Sequence, residues 1–335
     1  MEKYSVILPV RNGGNYVKEC IVSILGQTLN DFNCIVLDNC SEDGTAEWIE
    51  SLRDRRIVLY RSERPLTIEQ NWSRIKDVPK NEFMTLIGHD DLLYPFYLEE
   101  MDALISRHPS AGLYQAHYKY IDGEGKPIRP CLPMDEVQYA HEFLACQMAR
   151  TIDSMGTGYM MRSVDYDKAG GIPACYPNLI FADYELWMNM MGKRYKATTL
   201  KDCFSYRLHQ NLSRTTNGML YQEAFGKYVT FIRELMQEDP AVEKIVKRYG
   251  RDMLLYFCEG LSHRLLKTPI ANRSLKVKDL IGIFETYAKE LVPGQEFHPL
   301  KIFRIRIASW LDRSLIGRGI FRSYKRAVLV TRRQV

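Results

Sequence analysis

Short apolar runs alternate with amphipathic stretches along the first part of the chain. The runs span 4–10, 32–37, 56–60 and 83–87, and nearly every position in them is apolar. Such runs are typical of strands that are buried on both faces of a parallel sheet. The stretches between them place apolar residues at helical spacing. Strand and helix thus alternate three times, which predicts an α/β fold with a mostly parallel central sheet and flanking helices.

The later part of the pattern is less regular. Residues 126–137 contain prolines and lack a clear period, so we expect an irregular and mobile loop there. Beyond Leu220 the pattern is mostly helical. We therefore expect an α/β region over 1–215 and a helical C-terminal region over 216–335. The other predicted elements are a helix to Arg107, a strand over 111–121, a helix over 139–149, a strand over 156–162, a helix that ends at Gly192 and a strand or strand pair over 195–209.

Composition and charge narrow the class of protein. Of 335 residues, 46% are hydrophobic and 26% are charged, as in ordinary globular proteins. No apolar stretch approaches the roughly 18–20 residues of a membrane span, and no signal peptide is expected before the first strand. The eight cysteines include no C-x-x-C pair. Neither a zinc site nor a redox motif is predicted, and this use of cysteine fits a reducing cytosol.

The C-terminal end is strongly basic. Residues 296–335 contain ten basic and two acidic residues, a net charge of +8, which leaves −3 for the rest of the chain. Across 300–333, apolar and aromatic residues recur at roughly helical spacing with Arg and Lys between them. This pattern is typical of an amphipathic helix at an anionic membrane surface. A helical cap on the core and a dimerisation surface are the alternatives, and no recognition motif supports binding to nucleic acid.

Carboxylates follow two of the predicted strands. Asp38 ends the second strand, and Asp90 and Asp91 come shortly after the fourth. Because parallel strands end at one edge of their sheet, we expect these side chains to converge there. Paired carboxylates suit Mg²⁺ or Mn²⁺, which bind one or two carboxylates together with a substrate phosphate. The alternative is a solvated Asp-Asp turn that caps the next helix.

Several segments carry motifs that occur together in one known family. They are 5–12 (SVILPVRN), 16–28 (ending in SILGQT), 36–45 (VLDNCSEDGT), 89–91 (HDD), 182–187 (ADYELW) and 206–209 (YRLH). In this order they resemble the inverting family-two nucleotide-sugar glycosyltransferases of bacterial surface-polysaccharide type. The resemblance covers roughly 4–215 and implies the Rossmann-like A-type glycosyltransferase fold. One such motif is weakly specific, whereas their shared order is strongly specific.

The resemblance implies how a nucleotide-sugar donor binds, with 1–122 as the donor-binding half. Pro9, Val10 and Asn12 would line the pocket for the base and the ribose, largely through their backbone. Asp38 would hydrogen-bond the base, and the implied nucleotide is UDP or dTDP. The alternative for Asp38 is an ordinary turn residue.

The resemblance also implies a divalent metal, Mn²⁺ or Mg²⁺. Asp91 would bind this metal where it bridges the diphosphate oxygens. Asp90 would contact the ribose or help to hold the metal. His209 would be a metal or diphosphate ligand, because neutral imidazole binds divalent ions. A structural role is the alternative for this single histidine.

The segment 123–215 is implied to be the acceptor-side half. Asp183 would be the general base, and in-line attack would invert the anomeric carbon. Glu185 and Trp187 are possible acceptor contacts, with a position on the helix face and a position in the core as their respective alternatives. Ala182 departs from the family pattern, because the first acidic residue of the "ED" motif is missing.

The sequence therefore predicts a metal-dependent inverting glycosyltransferase. Its acceptor would be a glycan, such as one linked to a polyprenyl diphosphate, in the synthesis of a surface polysaccharide such as lipopolysaccharide. We expect a cytoplasmic protein whose tail lies at the inner face of the cell membrane. A non-catalytic nucleotide-sugar-binding protein of the same fold is the alternative that Ala182 favours. A Rossmann oxidoreductase is disfavoured, because no G-x-G-x-x-G follows the first strand.

Overall fold

The chain divides into two units, Met1–Asn211 and Leu212–Val335, and each is described by itself. The computed structural model describes residues 2–208, 216–319, 321 and 323. The first unit combines strands and helices, and the second is built of helices. The predicted α/β class with a helical C-terminal part is confirmed.

One sheet of ten strands organises the described part of the first unit. The strands are β1 (Tyr4–Val10), β2 (Phe32–Asp38), β3 (Ile57–Arg61), β4 (Phe83–Leu86), β5 (Leu92–Leu93), β6 (Leu113–Ile121), β7 (Pro127–Pro130), β8 (Val137–Tyr139), β9 (Tyr159–Arg162) and β10 (Tyr195–Arg207). Their order is β3-β2-β1-β4-β9-β6-β10-β5, with β7 beside β6 and β8 beside β10.

Strand direction divides this sheet into two parts. The neighbours β3, β2, β1 and β4 are parallel, and so are β6 and β10. Strand β9 lies antiparallel between β4 and β6, and the short strands β5, β7 and β8 add further antiparallel pairs. The carboxyl ends of β1, β2 and β4 therefore share one edge, where ligands bind in open α/β sheets.

The helices of the first unit pack on the sheet through apolar stripes. In α1 the side chains of Val17, Ile21 and Ile24 are buried, at the spacing that one helix face requires. Helix α3 begins with the predicted capping box, in which the Thr67 hydroxyl accepts from the Gln70 amide and the Gln70 side chain accepts from the Thr67 amide. The helices are α1 (Gly14–Leu25), α2 (Thr45–Ser51), α3 (Ile68–Ser73), α4 (Tyr97–Arg107), α5 (Ala140–Ala149), α6 (Ser163–Lys168) and α7 (Ala182–Met191).

The structure corrects one predicted element. Residues 126–137 are not an irregular loop, because they contain β7 and the first residue of β8. These strands are held by β6 and β10, so no local pattern reveals them. Helix α6 follows β9 directly, and β10 is one strand whose register shifts between Thr199 and Asp202.

The second unit has a helical core of its own. Phe225 of the first long helix stacks on Phe284 with ring centroids 5.2 Å apart. No helix in the described residues of either unit has the length and apolar character that a bilayer span requires. The helices are α8 (Gly218–Glu238), α9 (Pro240–Lys267), α10 (Val277–Leu291) and α11 (Phe303–Leu311).

Candidate functional site

Two loops at the carboxyl edge of the sheet are tied together. The Asn12 amide donates to the Ser41 hydroxyl at 2.8 Å, and Asn12 Oδ1 accepts from the Glu42 amide at 2.8 Å. The Gly14 amide donates to Asp43 Oδ2 at 2.9 Å. Asn12 has a left-handed backbone with φ 51°, which Asn tolerates better than most residues. The backbone amide and the side chain of Asn12 therefore both shape this loop.

The predicted base-binding residues lie at the ends of two adjacent strands. Pro9 and Val10 are buried in β1, and Val10 is in register with Asp38 of β2. Asp38 is fully buried, and its Oδ2 accepts from the Ser41 amide at 3.2 Å. Its Oδ1 has no hydrogen-bond partner among the described residues. A buried carboxylate oxygen without a donor is costly, so this atom fits a ligand that brings an N–H group.

The carboxylates of Asp90 and Asp91 lie close together in the turn after β4, which we call the acidic turn (88–91). A β-carbon placed on Gly88 would lie 2.8 Å from Asp90 Oδ1 and 3.1 Å from Asp91 Oδ2. Both side chains therefore fold back toward one point, and glycine leaves room for them. The Gly88 amide also donates to the Thr157 hydroxyl at 3.1 Å, which holds the turn against the chain before β9.

The electrostatics of the acidic turn favour a cation. Burial raises the pKa of Asp91 well above its ordinary value, and the neighbouring charge of Asp90 raises it further. Two carboxylates in one desolvated place repel each other, and a divalent cation relieves this repulsion. Carboxylate oxygens are also the donors that Mg²⁺ and Mn²⁺ prefer. The residues of the turn thus fit the implied metal.

Arg207 holds the acidic turn from the end of β10. Its backbone amide donates to Asp91 Oδ1 at 2.9 Å, and its Nε donates to the Asp90 carbonyl at 2.7 Å. Its Nη2 pairs with Glu19 Oε2 at 2.6 Å, and its Nη1 donates to the Gly123 carbonyl at 3.2 Å. The Arg207 side chain is 1% exposed. Sequence reasoning gave this residue no role, although it lies in the matching YRLH segment, because its partners are far away in sequence.

Asp183 lies in the first turn of α7. The residue before the helix, Phe181, has a left-handed backbone with φ 71°, and the Tyr184 amide donates to Asp183 Oδ1 at 3.0 Å. Burial raises the pKa of Asp183 to about 6. A carboxylate with this pKa is ionised at neutral pH and is still basic enough to accept a proton, as a general base must be.

Two other residues of α7 that the sequence singled out, Glu185 and Trp187, have partners within the protein. Glu185 Oε2 accepts from the Tyr176 hydroxyl at 2.6 Å, which ties α7 to the preceding loop. Trp187 is fully buried, its Nε1 donates to the Met155 carbonyl at 3.1 Å, and its ring stacks on Tyr159 at 4.1 Å. This corrects the expected acceptor contact of Trp187: the ring belongs to the core and offers no face to a sugar.

Tyr206 lies near both groups of carboxylates. Burial raises the pKa of this phenol, and the charges of Asp91, Asp90 and Asp183 raise it further. Tyr206 on β10 therefore lies within electrostatic reach of both the acidic turn and α7. The fold thus brings Tyr206 near Asp90, Asp91 and Asp183, which are up to 93 residues apart in sequence. The segment 155–159 contacts both elements, because Thr157 accepts from the Gly88 amide and the Met155 carbonyl accepts from Trp187 Nε1 in α7.

Not every predicted ligand can be placed. His209 lies outside the described residues. Within 2–208 and 216–319, no group of three or more His, Cys, Asp and Glu side chains is arranged to hold a metal ion. Among the described residues, the two carboxylates of the acidic turn therefore stay the predicted ligands, and a diphosphate would supply further oxygens.

Comparison with known proteins agrees with this arrangement. Residues 5–168 match glycosyl transferase family 2. An uncharacterized glycosyltransferase of Rickettsia typhi is 23% identical to the chain over 318 residues, which are 92% of this chain and 96% of the relative.

Solved structures share the fold. S. aureus TarS 1–349 in complex with UDP-GlcNAc superposes with a TM-score of 0.65 at 15% identity, over 97% of this chain and 92% of that chain. The mannosyltransferase PcManGT from Pyrobaculum calidifontis, in complex with GDP-Man and Mn²⁺, superposes with a TM-score of 0.53 at 13% identity, over 96% of this chain and 87% of that chain. The predicted A-type glycosyltransferase fold is confirmed.

Proposed function

Because the chain belongs to glycosyl transferase family 2, we propose that it transfers a sugar from a nucleotide-diphosphate donor to a hydroxyl group of a glycan, with inversion at the anomeric carbon. The observation that carries this proposal is the segment 155–159, which contacts the acidic turn through Thr157 and contacts α7, the helix of Asp183, through Met155. This arrangement supports a base near the diphosphate, as a sugar transfer requires.

The donor binds at the carboxyl edge of β1, β2 and β4 in this proposal. Asp38 Oδ1 accepts an N–H of the base, which gives the buried oxygen its missing partner. The backbone of Pro9, Val10 and Asn12 lines the base and the ribose. UDP or dTDP is the proposed nucleotide, and the nucleotide-sugar complexes of TarS and PcManGT support a donor of this class.

The acidic turn positions the diphosphate. Asp91 holds a divalent metal, Mn²⁺ or Mg²⁺, and Asp90 helps to hold it or contacts the ribose. When bound, such an ion neutralises the charge that develops on the leaving diphosphate. Mn²⁺ in the PcManGT complex supports this choice of cofactor. Arg207 fixes the backbone that presents both carboxylates.

Asp183 is the proposed general base. Its carboxylate accepts the proton of the acceptor hydroxyl while the hydroxyl oxygen forms a bond to the anomeric carbon. The bond from that carbon to the diphosphate oxygen breaks on the opposite face, so the configuration inverts. The electron pair leaves with the nucleoside diphosphate. A pKa of about 6 keeps Asp183 ionised at neutral pH.

The acceptor belongs to the 123–215 half of the first unit in this proposal, with Glu185 as a possible contact. We propose a lipid-linked glycan, such as one on a polyprenyl diphosphate, in the synthesis of a surface polysaccharide. The enzyme then works in the cytoplasm at the inner face of the cell membrane. The second candidate function is nucleotide-sugar binding without turnover, which Ala182 at the first "ED" position favours.

A donor screen tests this function. The protein is incubated with UDP-, dTDP- and GDP-sugars in Mn²⁺, Mg²⁺ or EDTA, and release of the nucleoside diphosphate is followed with the Asp183→Asn variant and the surface control Glu63→Gln. We expect metal-dependent release from one donor that the Asn variant loses and the control keeps. Full activity in Asp183→Asn would refute the assigned base. Thermal stabilisation by a nucleotide without release would support the second candidate, and neither effect would refute the nucleotide site.

A further inference from the structure

Large apolar side chains stand in solvent on one side of α11. Phe303 is 63% exposed, Ile307 36% and Trp310 66%. Their spacing of four and three residues places them in one stripe along the helix. On the other side of the helix, Ile305 and Ala308 are buried in the core of the second unit. The helix therefore packs on the core through one face and exposes a second apolar face, which no described residue covers.

A cleft with a basic rim lies beside this stripe. It has a volume of about 470 Å³ and lies between α10 and α11. Lys276, Lys278 and Arg313 line it together with the apolar Ile281 and Leu300. The acidic residues at the cleft are Glu285 and Asp312, and Asp312 is already neutralised by buried contacts with Arg273 and Arg318. The cleft and the exposed stripe together form what we call the α11 face.

Four cations at the α11 face have no acidic partner among the described residues of the second unit. Among the described residues, no carboxylate lies within ion-pair distance of Lys276, Lys278, Arg306 or Arg313. The Arg306 guanidinium lies 5.6 Å from the centroid of the exposed Phe303 ring. Arginine over an exposed aromatic ring combines a positive charge with apolar surface, as interfacial segments do.

We propose that the α11 face docks on the surface of an anionic lipid bilayer. Phe303, Ile307 and Trp310 enter the boundary between headgroups and acyl chains, where aromatic rings are favoured. The unpaired cations then lie at the level of the lipid phosphates, and the cleft admits a phosphate headgroup between Lys276, Lys278 and Arg313.

The charge of the α11 face favours a bilayer over a second copy of the chain as its partner. A twofold contact through the α11 face would place its unpaired cations against the same cations of the other copy. Like charges brought together in this way oppose association, whereas an anionic bilayer attracts every one of them. The charge of the face therefore favours lipid over self-association.

Vesicle sedimentation with the full chain tests the proposal. We expect binding to mixed phosphatidylcholine–phosphatidylglycerol vesicles that falls with salt, and little binding to phosphatidylcholine alone. The double variant Phe303→Ser/Trp310→Ser should bind at least roughly tenfold more weakly. Arg306→Gln and Arg313→Gln should each weaken binding by about fivefold. Leu200→Ser, at a residue of the first unit that is also 66% exposed, is the matched control and should bind as the wild type does.

Three results would overturn the proposal. They are unchanged binding in Phe303→Ser/Trp310→Ser, equal binding to neutral and anionic vesicles, and a concentration-dependent dimer in sedimentation velocity that the double variant abolishes. If Phe303→Ser/Trp310→Ser binds vesicles as the wild type does, basic residues elsewhere in the chain are responsible for the binding. Because the replaced side chains are exposed, circular dichroism should show an intact fold. Vesicle binding needs no donor or turnover, so its outcome is separate from that of the transferase assay.

Discussion

Replacement of Asp183 by asparagine should stabilise the protein while it removes activity. Burial raises the pKa of this carboxyl from its ordinary value of 3.8 to about 6 in the folded state. At about 1.36 kcal/mol per pKa unit, the folded protein is less stable by up to about 3 kcal/mol when the carboxylate is ionised. Asparagine has nearly the same shape and carries no charge, so it avoids this cost.

The sign of the pH dependence follows from the same pKa values. Between pH 3.8 and about 6, the folded state holds a proton that the unfolded state has largely lost. The contribution of this group to the free energy of unfolding is therefore greatest at low pH. It falls as pH rises through this window, and the loss is complete above it. The advantage of Asp183→Asn should be largest near pH 8 and should shrink as pH falls toward roughly 4.

Urea unfolding at a series of pH values measures this effect, with Glu63→Gln as the surface control. The same pKa predicts that wild-type kcat/KM rises with pH and reaches half its plateau near pH 6. Asp183→Asn should lower kcat by about 10²–10⁴-fold. If Asp183→Asn is no more stable than the wild type near pH 8, ionised Asp183 does not destabilise the folded protein and the prediction is refuted. A gain in stability that does not change with pH would refute it as well.

Substitutions at three further residues test the site and its support. Gly88→Ala puts a carbon 2.8 Å from Asp90 Oδ1 and 3.1 Å from Asp91 Oδ2. The affinity for Mn²⁺ in the presence of UDP, measured by electron paramagnetic resonance, should therefore fall roughly tenfold. An unchanged affinity would argue against a metal at this turn. Arg207→Met removes a buried guanidinium that donates to the Asp90 and Gly123 carbonyls, so it should lower the free energy of unfolding in urea by about 2–4 kcal/mol. The exposed control Arg61→Met should lower the free energy of unfolding by less than about 1 kcal/mol. An equal loss in the two variants would contradict the role of Arg207 in holding the acidic turn. Trp187→Ala should lower the free energy of unfolding by about 3–5 kcal/mol. Trp187→Phe should leave the KM for the acceptor unchanged, and a raised KM would contradict the place of Trp187 in the core.

Local signals predicted the donor side of the fold well. The apolar runs of β1 and β2 coincide with observed strands, because strands buried on both faces need apolar residues at almost every position. The capping box of α3 was visible because its two partners, Thr67 and Gln70, are three residues apart. The close approach of Asp90 and Asp91 could be expected from their adjacency at a strand end.

Features that depend on distant partners were missed. The four residues of β7 are all exposed and include two prolines, so they lack the alternation of a strand, and β6 alone defines them. Arg207 stood in a recognised motif, but its contacts with Glu19 and the acidic turn required the folded chain. The burial of Trp187 depends on stacking against Tyr159 from another strand. Short-range patterns contain no information on such pairings.

Arg207 also determines when the acidic turn can be completed. Asp90 precedes this arginine by 117 residues and Glu19 precedes it by 188. At a synthesis rate of about 5–20 residues per second, a ribosome needs about 6–23 s to make the chain between Asp90 and Arg207. During that interval the nascent protein has both carboxylates and lacks the guanidinium that holds their turn. A chain that stops before the end of β10 therefore contains the strands of the donor side without a finished acidic turn.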